Sequence, residues 1–294
     1  MDAGPLKRYR DIAGDGGSNI GGQVEAQQAR LRDRLRGVRA TLAVVSGKGG
    51  VGKSSVTANL ATCFALDGWQ VGVLDADLNG PTMAKMLGVR GGKLVVHGGA
   101  VQPPRNAQGI KVMSMDLLLP GDAAPLTWDA PTQDEAHTWR GTMEANALRE
   151  FLADTDWGDL DVLLIDLPPG TDRLVTVTSL VPVLTGTIVV TLPSDVSQLV
   201  VRKSLTVAAQ GRAPILGIVE NMAGLFPGPD VEAMAREAAV PFLGRVPFDE
   251  QLAAAADRGE AYVQRAAERP AARALRGIAS TLREAIRPVG RLSR

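Results

Sequence analysis

The sequence predicts an α/β fold in which helices cover both faces of a single doubly wound, mostly parallel sheet. Residues 46–55 match the phosphate-loop pattern G-x-x-x-x-G-K-[ST], between an apolar β-branched run and a helical pattern. Short apolar runs of strand length alternate with helical segments along most of the chain. Hydrophobic residues make up 45% of the 294 residues, which is enough to bury a sizeable core.

Composition and charge exclude several classes of protein. The formal net charge is zero, which argues against a general nucleic-acid-binding protein, since such domains are strongly basic. No apolar run has the length of a bilayer span, and the polar N-terminus has no secretory signal, so neither nucleic acid nor membrane is an expected partner. The single cysteine forbids an intrachain disulfide and suits a reducing cytosol, so we expect a cytoplasmic protein.

The chain divides into three predicted parts. Residues 1–19 are rich in Gly and Asp and predict a mobile tail, residues 20–39 predict an N-terminal helix, and residues 40–294 predict the phosphate-loop domain. Five arginines crowd the polar positions of the helix: Arg30, Arg32, Arg34, Arg36 and Arg39. Three interpretations stay open: a partner-binding or dimer-stabilising helix, a basic surface for nucleic acid, and an arm packed on the domain with its charges in water.

Seven strands are predicted within that domain. They are Thr41–Val45, Val71–Asp75, Gly109–Met115, Asp161–Asp166, Thr187–Thr191, Ile215–Val219 and Phe242–Val246. Helices are predicted after the phosphate loop, from Met143 to Ala153, and from about Asp195. A terminal amphipathic helix carries Leu275, Ile278, Leu282 and Ile286, and we expect it to close the outer face of the sheet rather than to bind membrane.

The phosphate loop carries the prediction of function. Its glycines let backbone N–H groups point inward at phosphate oxygens, and the dipole of the following helix favours an anion. Lys53 is expected to reach the β- and γ-phosphates, and the Ser54 hydroxyl is expected to ligate Mg²⁺. The predicted nucleotide-binding residues of the loop are Gly47, Lys48, Gly49, Gly50, Val51, Gly52, Lys53, Ser54 and Ser55.

Carboxylates stand at the ends of two predicted strands. Asp75 and Asp77 end the run from Val71, which places them at the ligand edge of an α/β sheet. Asp166 ends an apolar run with the form of a Walker B strand, and we expect it to hold hydrated magnesium. For the pair at 75 and 77, a solvated turn that caps a helix from Pro81 is the alternative.

A second lysine narrows the interpretation of the phosphate loop. Lys48 directly follows the first glycine, and two ammonium groups this close repel unless a polyanion lies between them. The segment G-K-G-G-V-G-K-S resembles the deviant Walker A motif of MinD/ParA/Mrp-class P-loop ATPases. In that class the extra lysine reaches across a dimer interface to the partner's nucleotide. A solvated loop charge is the alternative for Lys48.

Further segments make the resemblance more specific. They are, in chain order, S-G-K-G-G-V-G-K-S-S, D-A-D-L-N-G-P-T, K-V-M-S-M, W-R-G-T-M, L-L-I-D-L-P-P-G-T, G-I-V-E-N-M and P-F-L-G-R-V-P-F-D. With them the chain resembles the Mrp/ApbC family of iron–sulfur cluster carrier ATPases, from about residue 20 to its C-terminus. The segments W-R-G and V-E-N-M are more specific to that family than the phosphate loop.

The resemblance implies a homodimer that binds ATP and Mg²⁺, with slow hydrolysis coupled to handling of an iron–sulfur cluster. It implies that Asp77 orients the attacking water, that Lys48 acts in catalysis, and that Asp75 lies near the magnesium shell. It also implies that Asn221 contacts the adenine edge and that Val246-Pro247 lies against the base. An iron–sulfur scaffold or a recipient apoprotein is the further partner that it suggests.

One departure from the family bears directly on the cluster. After E-N-M the family usually carries C-x-x-C, whereas residues 222–230 here contain no Cys or His. Iron–sulfur clusters need thiolates, sometimes with imidazole, so the usual ligands are absent. Cys63 shares a helix face with Val56 and Leu60 and is expected to be a small buried hydrophobe. Leu225→Cys with Gly228→Cys is one example of a double substitution that would reinstate the pair.

Two other functions stay open at this point. A MinD- or ParA-like positioning ATPase would use the terminal helix on membrane or a basic patch on DNA, and the W-R-G and E-N-M segments argue against it. A metabolic P-loop enzyme, such as a kinase or an amide ligase, would need a small acceptor for turnover.

Overall fold

The computed structural model describes residues 20–119, 133–170, 172–181, 183–194 and 214–286. The predicted tail over residues 1–19 and the helix predicted from about Asp195 lie outside these ranges.

Nine strands lie in the described part of the chain, and all seven predicted strands are among them. They are β1 (Thr41–Ser46), β2 (Val71–Asp75), β3 (Val95–His97), β4 (Ala100–Gln102), β5 (Lys111–Met113), β6 (Val162–Asp166), β7 (Gly186–Thr191), β8 (Ile215–Ala223) and β9 (Phe242–Pro247). Seven of them form one parallel sheet in the order β5-β2-β6-β1-β7-β8-β9. The predicted fold class is confirmed.

Helices connect the strands. They are α1 (Ile20–Leu35), α2 (Lys53–Leu66), α3 (Met83–Met86), α4 (Gln133–Asp154), α5 (Asp172–Leu180), α6 (Val231–Glu237), α7 (Glu250–Arg258), α8 (Tyr262–Arg265) and α9 (Pro270–Ile286). The predicted start of α4 was wrong, because Trp139-Arg140-Gly141 lies inside this helix and not ahead of it. A single interior glycine costs a helix only about 1 kcal/mol, which a long helix tolerates.

The sheet separates two hydrophobic layers, and β1 shows how one strand serves both. Leu42 and Val44 point into the layer that contains α2 and α9, whereas Ala43 and Val45 point into the layer that contains α1, α4 and α5. Alternate side chains of a strand face opposite sides of the sheet, so an apolar run of this kind is buried on both faces.

The terminal helix and the single cysteine lie where the sequence predicts. Leu275, Ile278 and Leu282 of α9 are buried against the sheet, so its apolar face is covered by protein. Cys63 is buried in the same layer as Leu60, and burial raises the pKa of its thiol to about 12. None of the helices in the described ranges has the length and apolar character that a membrane span requires.

The basic helix α1 packs on α4. Leu31 and Leu35 are buried in the layer that also holds Leu148 and Leu152 of α4. Arg30 donates to the Asp154 carboxylate, and Arg34 Nε donates to the Ala153 carbonyl at 3.1 Å. These contacts favour the interpretation of an arm packed on the domain, although they use only part of its arginines.

A β-hairpin was not predicted. β3 and β4 pair antiparallel around Gly98 and Gly99, whose φ angles are 58° and 74°. Two residues with positive φ form the turn that suits the right-handed twist of a hairpin, and Gly-Gly is a typical sequence for it. The signal was therefore present in the segment that joins the two valine-rich strands.

Candidate nucleotide-binding site

The phosphate loop lies between the carboxyl end of β1 and the start of α2. Gly50 and Gly52 have φ angles of 78° and 77°, which side chains with a Cβ rarely adopt. A Cβ on Gly52 would also lie 2.3 Å from Nδ2 of Asn221. The loop backbone therefore approaches β8 more closely than any other residue type would permit.

Asp166 collects side-chain donors from this loop and from α2. Its Oδ2 accepts from Lys53 Nζ at 2.5 Å and from Ser54 Oγ at 2.6 Å, and its Oδ1 accepts from Thr57 Oγ1 at 2.6 Å. The Asp166 side chain is fully buried, and that of Lys53 is only 6% exposed. A buried charge pair with additional hydroxyl donors is stable at such a position, because every oxygen of the carboxylate is satisfied.

Asp75 lies beside Asp166, since the two residues are partners in the register of β2 and β6. Its donors belong mainly to the following loop. Oδ2 accepts from the N–H groups of Thr82 and Met83, both at 2.9 Å, and from Ser114 Oγ at 3.0 Å. Oδ1 accepts from the Asp77 N–H at 3.2 Å. Asp75 therefore fixes the shape of the loop over residues 76–83.

Two opposing effects act on the pKa of Asp75. Burial, followed by the neighbouring Asp166 carboxylate, raises it to about 7, while the hydrogen bonds from Met83, Ser114 and Thr82 lower it only in part. Near neutral pH this carboxyl is therefore poised between its two protonation states.

Asp77 and Lys48 have few contacts with the rest of the site. The Asp77 side chain is partly exposed, and its Oδ1 accepts from the Gly80 N–H at 3.1 Å. The backbone carbonyl of Lys48 accepts from Ser46 Oγ at 3.0 Å. Within the described ranges the Lys48 ammonium has no ion-pair partner. Both side chains are therefore available to a ligand or to a second molecule.

Asn221 joins the phosphate loop to the end of β8. Its Nδ2 donates to the Val51 carbonyl at 2.9 Å, and the side chain is buried. Val246 is buried, and Pro247 ends β9 in register with Ala223. The predicted adenine contacts at these three residues stay predictions, but one donor of the Asn221 amide already holds the loop.

The segment after β8, where the family usually has its thiolates, is braced by Arg245. This side chain donates to Glu220 Oε2 at 2.9 Å and to Asp230 Oδ1 at 2.6 Å, so it joins the end of β8 to the start of α6. Within the described residues, no group of three or more His, Cys, Asp or Glu side chains could hold a metal ion.

The expected replacement of Gly228 by cysteine was wrong. A Cβ at this position would lie 1.6 Å from the Pro193 carbonyl oxygen, which is backbone and cannot move away easily. Gly224 has a φ of 85°, a conformation that residues with a Cβ rarely adopt. Phe226 with Pro229 is one pair with C-x-x-C spacing that avoids both glycines and keeps Asp230.

The roles of three further residues of this region are not predicted from the sequence. Thr57 binds Asp166, Ser114 binds Asp75, and Glu144 on α4 accepts from Asn79 Nδ2 at 2.8 Å. Glu144 is buried, and the segment W-R-G-T-M directly precedes it. That position could have drawn attention to Glu144, whereas nothing in the sequence reveals the contacts of Ser114.

The comparison with known families agrees with this geometry. A family model described as "ParA: NUBPL iron-transfer P-loop NTPase" matches residues 37–283. The chain belongs to this family. The predicted resemblance to iron–sulfur cluster carrier ATPases of the MinD/ParA class is thereby confirmed.

Similar proteins are known from archaea. The iron-sulfur cluster carrier protein of Saccharolobus solfataricus is 38% identical over 287 residues, which cover 94% of this chain and 92% of that protein. The protein of the same name from Methanocaldococcus jannaschii is 41% identical over 245 residues, covering 79% and 81%.

Two solved structures define the shared fold. The nucleotide-binding protein from Archaeoglobus fulgidus, in complex with ADP, has a TM-score of 0.67 and 36% identity, covering 80% of this chain and 92% of that one. The cell division ATPase MinD from Pyrococcus furiosus has a TM-score of 0.61 at 21% identity, covering 83% and 98%. The second likeness concerns the fold alone.

Proposed function

We propose that this chain is a homodimeric Mg-ATPase that acts in iron–sulfur protein assembly and that relies on a partner for cluster ligands. The observation that carries the ATPase part is the buried Asp166 carboxylate, held by Lys53, Ser54 and Thr57 at the edge where the phosphate loop ends. This is a magnesium- and phosphate-binding set of side chains that already lie in contact.

The side chains present fit Mg-ATP. Ser54 Oγ and Asp166 Oδ2 lie 2.6 Å apart and are hard oxygen donors of the kind that Mg²⁺ prefers. When bound, this ion supplies neutralisation of charge on the β- and γ-phosphates. The Ser55 hydroxyl is buried without a hydrogen-bond partner among the described residues, and a phosphate oxygen would satisfy it.

The protein groups then take separate roles in hydrolysis. Lys53 exchanges its bond to Asp166 for the phosphates, while the N–H groups of residues 47–54 cradle them. Asp77 orients the attacking water, because its carboxylate is accessible and its loop is fixed by Asp75. Lys48 stabilises the transferring phosphoryl group of the partner subunit, which gives the homodimer its catalytic function.

The cluster is the cargo, and this chain does not supply its ligands. Cys63 is buried and burial raises the pKa of its thiol to about 12, which disfavours the thiolate that iron requires. The relatives named iron-sulfur cluster carrier proteins support the assembly role. We therefore assign the missing thiolates to a partner chain or to small thiols.

Anaerobic reconstitution with iron and sulfide tests this proposal. The wild-type protein should hydrolyse ATP but retain no stable [4Fe-4S] cluster after desalting, by absorption and iron content. Adding glutathione, or an apoprotein with cysteine ligands, should allow a bound cluster. A brown wild-type protein with about four irons per dimer that Cys63→Ser leaves unchanged would overturn the missing-ligand part.

A matched variant sharpens that result. Phe226→Cys with Pro229→Cys reinstates the family's spacing at positions that carry side chains already, and it should increase retained iron over wild type. Phe226→Ser with Pro229→Ser is the control, because it changes the same positions without thiols. Equal iron in the two variants would mean that this segment is not where a cluster binds.

The alternative of a membrane-bound positioning ATPase requires that the terminal helix α9 can bind membrane. The apolar face of α9 is buried against the sheet and is not available to lipid. Co-sedimentation with liposomes and with DNA, each with ATP and Mg²⁺, distinguishes the two functions. Nucleotide-dependent sedimentation with either would favour the alternative.

A further inference from the structure

The arginines at the C-terminal end of α1 and directly after it fall into two rows with different surroundings. Arg30 and Arg34 point to α4, where they bind Asp154 and the Ala153 carbonyl. Arg32 and Arg36 lie on another side, one helical turn apart, and within the described ranges their guanidinium groups have no ion-pair partner. Arg36 directly follows the last residue of α1, so both positive charges stand at the C-terminal end of this helix.

These two arginines line a cavity of about 210 Å³ that is partly open to solvent. Arg39, which binds Asp161 at 2.7 Å, forms a third basic side of it. The remaining lining is largely aliphatic and includes Leu35, Val181 and Val183. Val183 is 75% exposed in the structure, although it faces a concave surface. A ligand that covered this side chain would remove apolar area from water.

The negative end of the α1 helix dipole accounts for basic residues near its C-terminus, but not for an apolar cavity between them. The cavity is also separate from the phosphate loop. Thr41 lines it at the amino end of β1, and the loop begins after Ser46, about 17 Å away at roughly 3.3 Å per residue. ATP in the phosphate loop therefore does not occupy this cavity.

We propose that this cavity binds a small amphipathic carboxylate, with the carboxylate between Arg32 and Arg36 and the aliphatic chain against Val181 and Val183. Guanidinium groups match carboxylates in geometry as well as in charge. The volume is smaller than that of pockets for drug-sized ligands, about 300–1,000 Å³, so a single short aliphatic chain suits it. Two kinds of molecule carry a carboxylate next to an aliphatic chain: a free aliphatic acid, and a peptide whose C-terminal residue is leucine.

Octanoate is the probe for the first source. Isothermal titration calorimetry of the full-length protein should detect octanoate binding that saturating Mg-ATP does not displace. Acetate, which lacks the chain, and octan-1-ol, which lacks the charge, should each bind at least about tenfold more weakly. The tetrapeptide N-acetyl-Ser-Gly-Leu-Leu, compared with its C-terminal amide, is the probe for the second source.

Charge-neutral variants test the residues. Arg32→Gln with Arg36→Gln should weaken binding of the preferred probe about tenfold or more, while Arg273→Gln, an exposed arginine on α9, should leave it unchanged. Val183→Glu places a tethered carboxylate beside the cavity and should block the probe without a change in core packing. ATP affinity serves as the check that each variant is folded.

The binding results for the two probes distinguish a free acid from a peptide terminus. Binding of octanoate alone assigns a free acid, and binding of the free-carboxylate peptide alone assigns a peptide terminus. If neither probe binds, or if the double arginine variant binds as tightly as wild type, the proposal is overturned. This site does not depend on the proposed ATPase function, since loss of ATP hydrolysis would leave octanoate binding intact.

Discussion

Asp166 and Asp75 lie side by side at the carboxyl ends of β6 and β2, but their carboxylates meet different kinds of donor. Asp166 binds an ammonium and two hydroxyl groups, all of which belong to side chains of α2. Asp75 binds mostly backbone N–H groups of one loop. These neighbouring acids are equally buried but differ in their donors, so we propose that Asp166 takes part in ligand exchange, whereas Asp75 holds the Asp77 loop.

The largest effect is expected on the Asp166 side. Lys53→Ala should weaken ATP binding by more than about 100-fold, because charge-assisted bonds to phosphate contribute about 1.5–3 kcal/mol each. Binding of a fluorescent ATP analogue measures it. Lys93→Ala, at an exposed lysine, is the control. Since Lys53 also compensates the buried Asp166, thermal melts and the milder Lys53→Gln must show that the variants fold; wild-type affinity in a folded Lys53→Ala would refute the assignment of the loop.

Asp75 holds the loop over residues 76–83, which carries Asp77. Asp77→Ala should reduce ATP hydrolysis by about 10²–10⁴-fold with little loss of ATP affinity, because we propose that the carboxylate orients the attacking water and does not hold the nucleotide. Light scattering after size exclusion should then detect a stable ATP-bound dimer. Asp77→Asn keeps an acceptor for the Gly80 N–H and so distinguishes loop shape from the carboxylate. Normal turnover in both variants would move the role to another acid.

The two lysines of the phosphate loop differ in their partners. Lys53 pairs with the buried Asp166, whereas Lys48 has no ion-pair partner within the described ranges. Lys48→Ala should bind ATP within about threefold of wild type but lose about 10²–10³-fold in hydrolysis, because we propose that its charge acts in the transition state. ATP-dependent dimerisation should be lost too. Mixing Lys48→Ala with Asp77→Ala should restore some activity if the lysine acts across the dimer; no gain from mixing would place it in its own subunit's site.

The sequence predicts the Asp166 side of this comparison better than the Asp75 side. A phosphate loop and an apolar strand ending in aspartate are local patterns, and each follows from the chemistry of phosphate and magnesium. The donors on Asp75 are backbone groups and a serine from β5's end, which only the folded chain brings together. The requirement for glycine at position 228 is likewise not visible in the sequence, because it comes from the Pro193 carbonyl, which is distant along the chain.

The smallest effect concerns the pH dependence of stability. Burial, and then Asp166, raises the pKa of Asp75 to about 7, so the folded chain keeps a proton that the unfolded chain loses near pH 4. The stabilisation from this group is therefore fully present below about pH 4 and is lost as the pH rises to about 7, above which both states are ionised.

Asp75→Asn cannot lose a proton, but its amide leaves one backbone donor unsatisfied, at about 1–3 kcal/mol. In urea titrations without nucleotide, the stability advantage of wild type over Asp75→Asn should shrink between pH 4 and pH 8 by on the order of a few kcal/mol. The exposed Asp257→Asn is the matched control and should show an almost constant difference from wild type. A constant difference for Asp75→Asn as well would show that this carboxyl is already ionised at acidic pH, and that its four donors outweigh its burial.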